Sequence, residues 1–164
     1  MKKIVLILFL CASVSLFADE QPEVTRVDQS YGYYAFGVGF PLIFSIDVGK
    51  RVQHNHVGWE AGIGVVPFII INEVHVYFSN LYYPRPNLKS QYYLGISAEF
   101  GHIFDVFYNP GSAPLFTPKL LLGKEFTTKK NKKRFIQINL GAAHLTRVGV
   151  RIFPDISLKY AIEF

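Results

Sequence analysis

Along most of this chain, large apolar side chains fall on every second position. The last stretch shows this most plainly: Ile156, Leu158, Tyr160, Ile162 and Phe164 alternate with Ser157, Lys159, Ala161 and Glu163. A period of two sends successive side chains to opposite faces of a β-strand. The same alternation predicts eight strands, over 31–40, 42–51, 56–66, 71–80, 90–102, 114–126, 133–143 and 154–164. The breaks between them carry turn-forming residues: Pro41, the cluster from Gln53 to His56, Pro67, the stretch from Pro84 to Asn87, the stretch from Asn109 to Ser112, a lysine run and Pro154. No window has a helical period. Beyond the first eighteen residues, no apolar run reaches the ~18 residues that a membrane-spanning helix requires. The stretch from Gly62 to Ile71 comes nearest, and Pro67 interrupts it.

Sorting each strand by parity separates two faces. One carries Tyr34, Phe36, Val38 and Phe40, then Val57, Trp59, Ile63 and Val65, and later Leu94, Ile96, Leu120, Leu122, Ile136 and Ile138. The other carries ten of the thirteen glycines together with Asp47, Glu60, Glu73, His75, Glu99, Lys119, Glu125 and Lys159. A soluble barrel of the lipocalin type, binding a lipid in its lumen, places the apolar face inside. Eight strands leave an interior barely wide enough for side chains, too narrow for the ~30 large apolar groups found here. The reverse arrangement accounts for both faces. Glycines make room in a crowded bore, and Asp47, Glu60, Glu73, Glu99, Glu125 and Glu163 pair inside with Lys119, Lys159 and nearby arginines. Acyl chains then cover the apolar face, and closure removes the unpaired edges that hydrocarbon does not tolerate. The fold predicted is all-β: an eight-stranded antiparallel up-and-down membrane barrel over 31–164. Pro118 fits poorly, because it removes a ladder donor from strand six; that strand is expected to start later or to bulge there.

The amino terminus predicts export. Lys2 and Lys3 precede an apolar run from Ile4 to Leu10, and Ser15 to Ala18 ends in a small residue before Asp19 and Glu20. That is the order of a cleaved signal peptide, with the cut expected between Ala18 and Asp19. A lipid-modified Cys11 is the alternative, but Leu10 is too large for the position before such a cysteine. Segment 1–18 is therefore read as the leader and the patternless 19–30 as an arm. Cleavage removes the only cysteine, so packing and backbone pairing alone must hold the mature domain. The leader takes two of seventeen basic residues, leaving fifteen against twelve acids. Much of that excess lies in the run from Lys129 to Arg134, so the charge gives no case for nucleic acid as a partner.

A strand that ends the chain on an aromatic residue, behind such a leader, resembles the closing strand of small eight-stranded bacterial outer-membrane barrels, the class of the OmpA transmembrane domain. The resemblance implies residence in the outer membrane, lipid as the surrounding partner, and Tyr160, Ile162 and Phe164 as the signal read by the barrel-assembly machinery. It implies turns at 51–56, 81–90 and 127–133 on the periplasmic side, and loops at 40–42, 66–71, 103–113 and 143–153 outside. Aromatic girdles are expected from Tyr31, Tyr33, Tyr34, Tyr82, Tyr83, Tyr92, Phe116 and Phe164. The function expected is a structural or surface-interaction role with a plugged lumen and no catalysis. An enzymatic alternative rests on His144, Thr146 and Asp155, which resemble the histidine, hydroxyl and acid of barrel lipid A deacylases. Threonine stands where serine is usual, and Arg147 where asparagine is usual. No cofactor or metal is expected: His54 and His56 share a turn without a third ligand nearby in sequence, and His75 reads as a hydrogen-bonded interior residue. Gly37 with Gly39, and Gly62 with Gly64, are not phosphate loops because no helix follows them. The oligomeric state is not encoded in any pattern found.

Overall fold

The computed structural model describes residues 27–40, 44–67, 71–87, 89–105, 112–145 and 151–164. These form β1 (Asp28–Phe40), β2 (Phe44–His54), β3 (Val57–Val66), β4 (Ile71–Tyr82), β5 (Ser90–Asp105), β6 (Ser112–Thr127), β7 (Lys133–Leu145) and β8 (Arg151–Glu163). Each strand pairs antiparallel with its neighbours in sequence, and β8 returns to β1 to close a barrel. Closure pairs every inner strand on both sides, which removes sheet edges altogether. The architecture is the predicted one.

Parity holds around the wall. In β7, Phe135, Gln137 and Asn139 are buried while Ile136, Ile138 and Leu140 between them are exposed. The same alternation in β1 buries Tyr31, Tyr33 and Ala35 and exposes Tyr34, Phe36 and Val38. The wall is therefore greasy outside and polar inside, opposite to a lipocalin-like binder, and that alternative is ruled out by the direction of the side chains.

Strand ends depart from expectation in instructive ways. β1 begins at Asp28, inside the expected arm, because Val27 is buried and held in place by Asn55. Asn55 N–H donates to the Val27 carbonyl at 2.8 Å, and Val27 N–H donates to Asn55 Oδ1 at 3.0 Å. Asn55 itself sits at φ 52°, the left-handed conformation that asparagine tolerates in tight turns. β6 neither starts after Pro118 nor bulges. Pro118 pairs with Ala98 on one side, and the β6–β7 ladder lapses only between Phe116 and Lys119 without shifting register. Pro154, expected to open the last strand, lies within β8 opposite Ala142.

The seam between first and last strands runs from Tyr33 opposite Glu163 to Phe40 opposite Ile156. Phe164 extends it by donating its N–H to the Gly32 carbonyl at 3.3 Å. Its ring lies on the outer surface over Gly32, where an added Cβ would come within 2.5 Å of ring atom Cζ. A glycine in a strand exposes backbone, and an aromatic ring from the next strand covers it. The ring also packs against Tyr34, centroids 4.6 Å apart. The terminal aromatic residue is thus a lid on the seam.

Candidate functional site

Among the described residues two surfaces stand out: the apolar exterior and the charged bore. The exterior presents Phe36, Val38, Trp59, Ile63, Val76 and Phe78 around one side and Leu94, Ile96, Leu120, Leu122, Ile138 and Leu158 around the other, all at least two-fifths exposed. Soluble monomers rarely expose contiguous apolar patches beyond a few hundred Å². A continuous apolar belt on a closed barrel is the surface that acyl chains accommodate.

The bore divides into two layers. The lower layer lies at the end that carries residues 27 and 164 and the turns near Asn55, Pro84 and Lys130. Its centre is Arg51, which is fully buried. Arg51 Nε donates to Glu60 Oε2 at 2.8 Å, and Nη2 donates to the same oxygen. Nη2 also reaches Gln137 Oε1 at 3.1 Å, while Nη1 lies 3.4 Å from Glu125 Oε2. The guanidinium carbon lies 3.7 Å from the Phe135 ring centroid and 4.6 Å from that of Tyr93. Planarity and five fixed donors suit arginine to bridge two carboxylates while resting on aromatic faces. Tyr31 then donates to Glu125 Oε2 at 2.7 Å, Gln91 donates to Glu125 Oε1 at 3.1 Å, and Tyr93 donates to Gln137 Oε1 at 2.8 Å. Side chains from six strands meet in this plug.

Three of the expected girdle residues belong to it. Tyr31, Tyr33 and Tyr83 are buried in the bore, and only Tyr34, Tyr82, Tyr92, Phe116 and Phe164 lie on the outward side. Parity dictates this, since Tyr31 and Tyr33 share the inward positions of Gly37 and Gly39. A bore full of carboxylates also needs hydroxyl donors and ring volume. Tyr33 and Tyr77 join hydroxyls at 2.8 Å across the boundary between the layers.

The upper layer is ionic rather than aromatic. Lys119 Nζ lies 2.8 Å from Glu99 and 3.0 Å from Asp155. Lys159 Nζ lies 3.3 Å from Asp47 and 4.2 Å from the Tyr77 ring centroid. The expected interior pairing of Asp47, Glu60, Glu99 and Glu125 with lysine and arginine is therefore present. Glu73 and Glu163 differ. Glu73 has His75 rather than lysine or arginine as its charged neighbour, 3.3 Å away, and Glu163 stands at the lower rim, where it accepts from the Lys133 backbone N–H.

The remaining candidates are quickly placed. Tyr160 and Ile162 lie on the outward face of β8, and the Tyr160 hydroxyl accepts from Arg134 Nη1 at 3.0 Å. Ala18 and Asp19 fall outside the described residues, as does Thr146. His144 occupies an outward position of β7 opposite Ile152. Asp155 is a buried inward residue of β8 bonded to Lys119. The wall of the barrel stands between histidine and acid, so the hydrolase arrangement is not assembled. His54 and His56 turn to different partners. His54 Nδ1 lies 2.6 Å from Asp28, and His56 Nδ1 bonds the Tyr83 carbonyl at 2.8 Å.

Among solved structures, the N-terminal β-barrel domain of Pseudomonas aeruginosa OprF aligns with a TM-score of 0.62 at 10% identity, covering 84% of this chain and all of that one. Neisserial surface protein A aligns with a TM-score of 0.50 at 12% identity, covering 84% of this chain and 96% of that one. Identities this low establish a shared fold. No family profile and no curated protein matches the chain.

Proposed function

We propose that this chain is an integral outer-membrane protein whose role is structural or interactive, without catalysis and without an open pore. The observation that carries the reading is the inversion of the barrel, with an apolar belt outside and a hydrogen-bonded ionic plug around Arg51 inside. The fold shared with the OprF β-barrel domain and with Neisserial surface protein A supports it, and the expected signal peptide is the route by which such a chain reaches that membrane. A lumen filled by Arg51, Phe135, Tyr33, Tyr83 and Tyr93 leaves no aqueous path of useful width. Tyr160, Ile162 and Phe164 serve recognition by the assembly machinery, and Phe164 afterwards covers the seam.

Cell fractionation tests location, and a planar bilayer tests conduction. The chain is expected in the outer-membrane fraction, extracted only by detergent. Its unheated form should migrate differently from its boiled form on a gel, and no steady channel current should appear. A monodisperse, detergent-free protein in the periplasmic fraction would contradict the reading, and a sustained current would contradict the plugged lumen.

A further inference from the structure

In the upper half of the bore, a row of facing positions runs from Asp47 on β2 through Gly64 and His75 to Gly101 on β5. Glu73 shares the inward face of β4 with His75, and Glu99 stands on β5 opposite Tyr77, one diagonal step away. Register thus brings Glu99 of β5 to Glu73 and His75, which already share a face of β4. One donor atom from each of Glu73, His75 and Glu99 lies within 4.8 Å of the other two, and all three residues are buried.

Proximity of acids alone would mean little. Glu73, however, is 1% exposed, and neither of its carboxylate oxygens has a hydrogen-bond donor among the described residues. His75 Nδ1 lies 3.3 Å from Glu73 Oε1 without the alignment of a hydrogen bond, and it too has no such partner. A buried carboxylate with no aligned donor, its nearest charged neighbour an imidazole at 3.3 Å, is poorly compensated. The other nitrogen of His75 is committed, with Nε2 2.9 Å from Asp47 Oδ1. Lys159 steadies Asp47 from the opposite side at 3.3 Å. With the proton on Nε2, the lone pair of Nδ1 faces Glu73. Metal-binding histidines are commonly held in this way, by a carboxylate on the far nitrogen that sets tautomer and ring orientation. Gly64 permits the contact, because a Cβ there would collide with both Asp47 Oδ1 and His75 Nε2.

Charge and space agree with the geometry. Asp47, Glu73, Glu99 and Asp155 border this layer against Lys119 and Lys159, so with neutral His75 these groups leave two negative charges uncompensated. One divalent ion removes that excess. A cavity of about 40 Å³, bordered by Glu73, His75, Glu99 and Lys119, has room for an ion and water.

We propose that the upper bore binds a first-row divalent cation, zinc being the expected occupant, through Glu73, Glu99 and Nδ1 of His75. One imidazole with two carboxylates is a mixed nitrogen and oxygen set, which favours zinc and its neighbours over calcium or magnesium. Bonds of about 2.0–2.2 Å require the three donors to draw slightly closer. Glu99 gives one oxygen to the ion and keeps Lys119, now 2.9 and 2.8 Å from its two oxygens, on the other. Asp47 is a positioning residue that touches the imidazole and not the ion.

The test uses the full chain folded in detergent, stripped with a chelator, and supplied with zinc both during refolding and after it. Stoichiometric zinc should survive desalting. Glu73→Gln and His75→Gln should each lose it, whereas His54→Gln at the lower rim should retain it. Asp47→Asn should weaken zinc binding by about 10–100-fold. Heat-modifiable mobility reports whether each variant is folded. Where one is not, the visible d–d absorption of the cobalt-loaded native chain decides, and its absence counts against the site. Substoichiometric zinc under both loading regimes overturns the proposal and leaves an imidazolium bridging Asp47 and Glu73 without metal. Retention of zinc by folded Glu73→Gln and His75→Gln overturns it as well.

Discussion

The two halves of the bore solve the same problem differently. Both must hold carboxylates away from bulk water. The lower half does so with a single arginine clamped between Glu60 and Glu125 and set against the rings of Tyr93 and Phe135. The upper half uses separate lysine pairs, a small cavity and a carboxylate with no hydrogen-bond partner among the described residues. An aromatic layer closed around one arginine is built to stay shut. An ionic layer with spare acceptors and free volume is built to take something in. Stability and binding are thus separated along the axis of one barrel, and the separation can be attacked experimentally.

The heaviest blow to the lower half is Arg51→Met, which keeps the length of the side chain and removes the charge. Among the described residues, Glu60 is then left without a cation and Glu125 keeps only Lys133, 3.6 Å from its Oε1, and breaking a buried pair from one side costs about 3–5 kcal/mol. Denaturant unfolding in detergent micelles, followed by gel mobility, should show a loss in that range. A loss below about 1 kcal/mol would mean that the layer behaves as a hydrated surface pair and that the plug is not what holds this end.

Much of this arrangement was legible in the alternation of residues, because strand period, strand number and inward face all follow from local parity. Even the misplaced tyrosines were readable by that rule: Tyr31 and Tyr33 lie in step with Gly37 and Gly39, and only the habit of finding aromatic residues at membrane interfaces suggested otherwise. What parity cannot supply is register. Arg51 meets Glu60 across a hairpin, 9 residues away, but it meets Glu125 across the bore at a separation of 74. The juxtaposition of Glu73 and His75 with Glu99 likewise exists only once β4 and β5 are aligned. Pro154 looked like the start of the last strand, whereas β8 begins at Arg151 and carries the proline opposite Ala142.

A smaller effect is expected from Lys119→Met in the upper half. Lys119 bridges Glu99 and Asp155, so its loss strands two carboxylates. The difference is the adjoining cavity of about 40 Å³, through which water can hydrate them. Charge-assisted hydrogen bonds are worth about 1.5–3 kcal/mol each, and hydration should return part of that, leaving a net cost of about 2 kcal/mol by the same assay. If Lys119→Met proves as damaging as Arg51→Met, the upper layer is as dry as the lower, and the contrast between them fails.

The smallest effect on stability should come from outside the bore, at the lower rim, where Phe164 covers Gly32 and touches Tyr34. An aromatic pair contributes about 0.5–1.5 kcal/mol beyond the area it buries. The ring stays 59% exposed to whatever surrounds the barrel, so Phe164→Ala should cost the refolded protein only about 1 kcal/mol. The backbone bond from Phe164 to Gly32 does not depend on the ring, and the interior plug is untouched. In cells, the same variant should lower the amount of folded barrel in the outer membrane by far more than a 1 kcal/mol change in a stable protein allows. That disproportion is the signature of a residue read during assembly and then reused as a seam cover. Equal, mild losses in both measurements would leave Phe164 as packing alone, while a large loss in the refolded protein would make the seam, rather than the Arg51 layer, the weak point of this end.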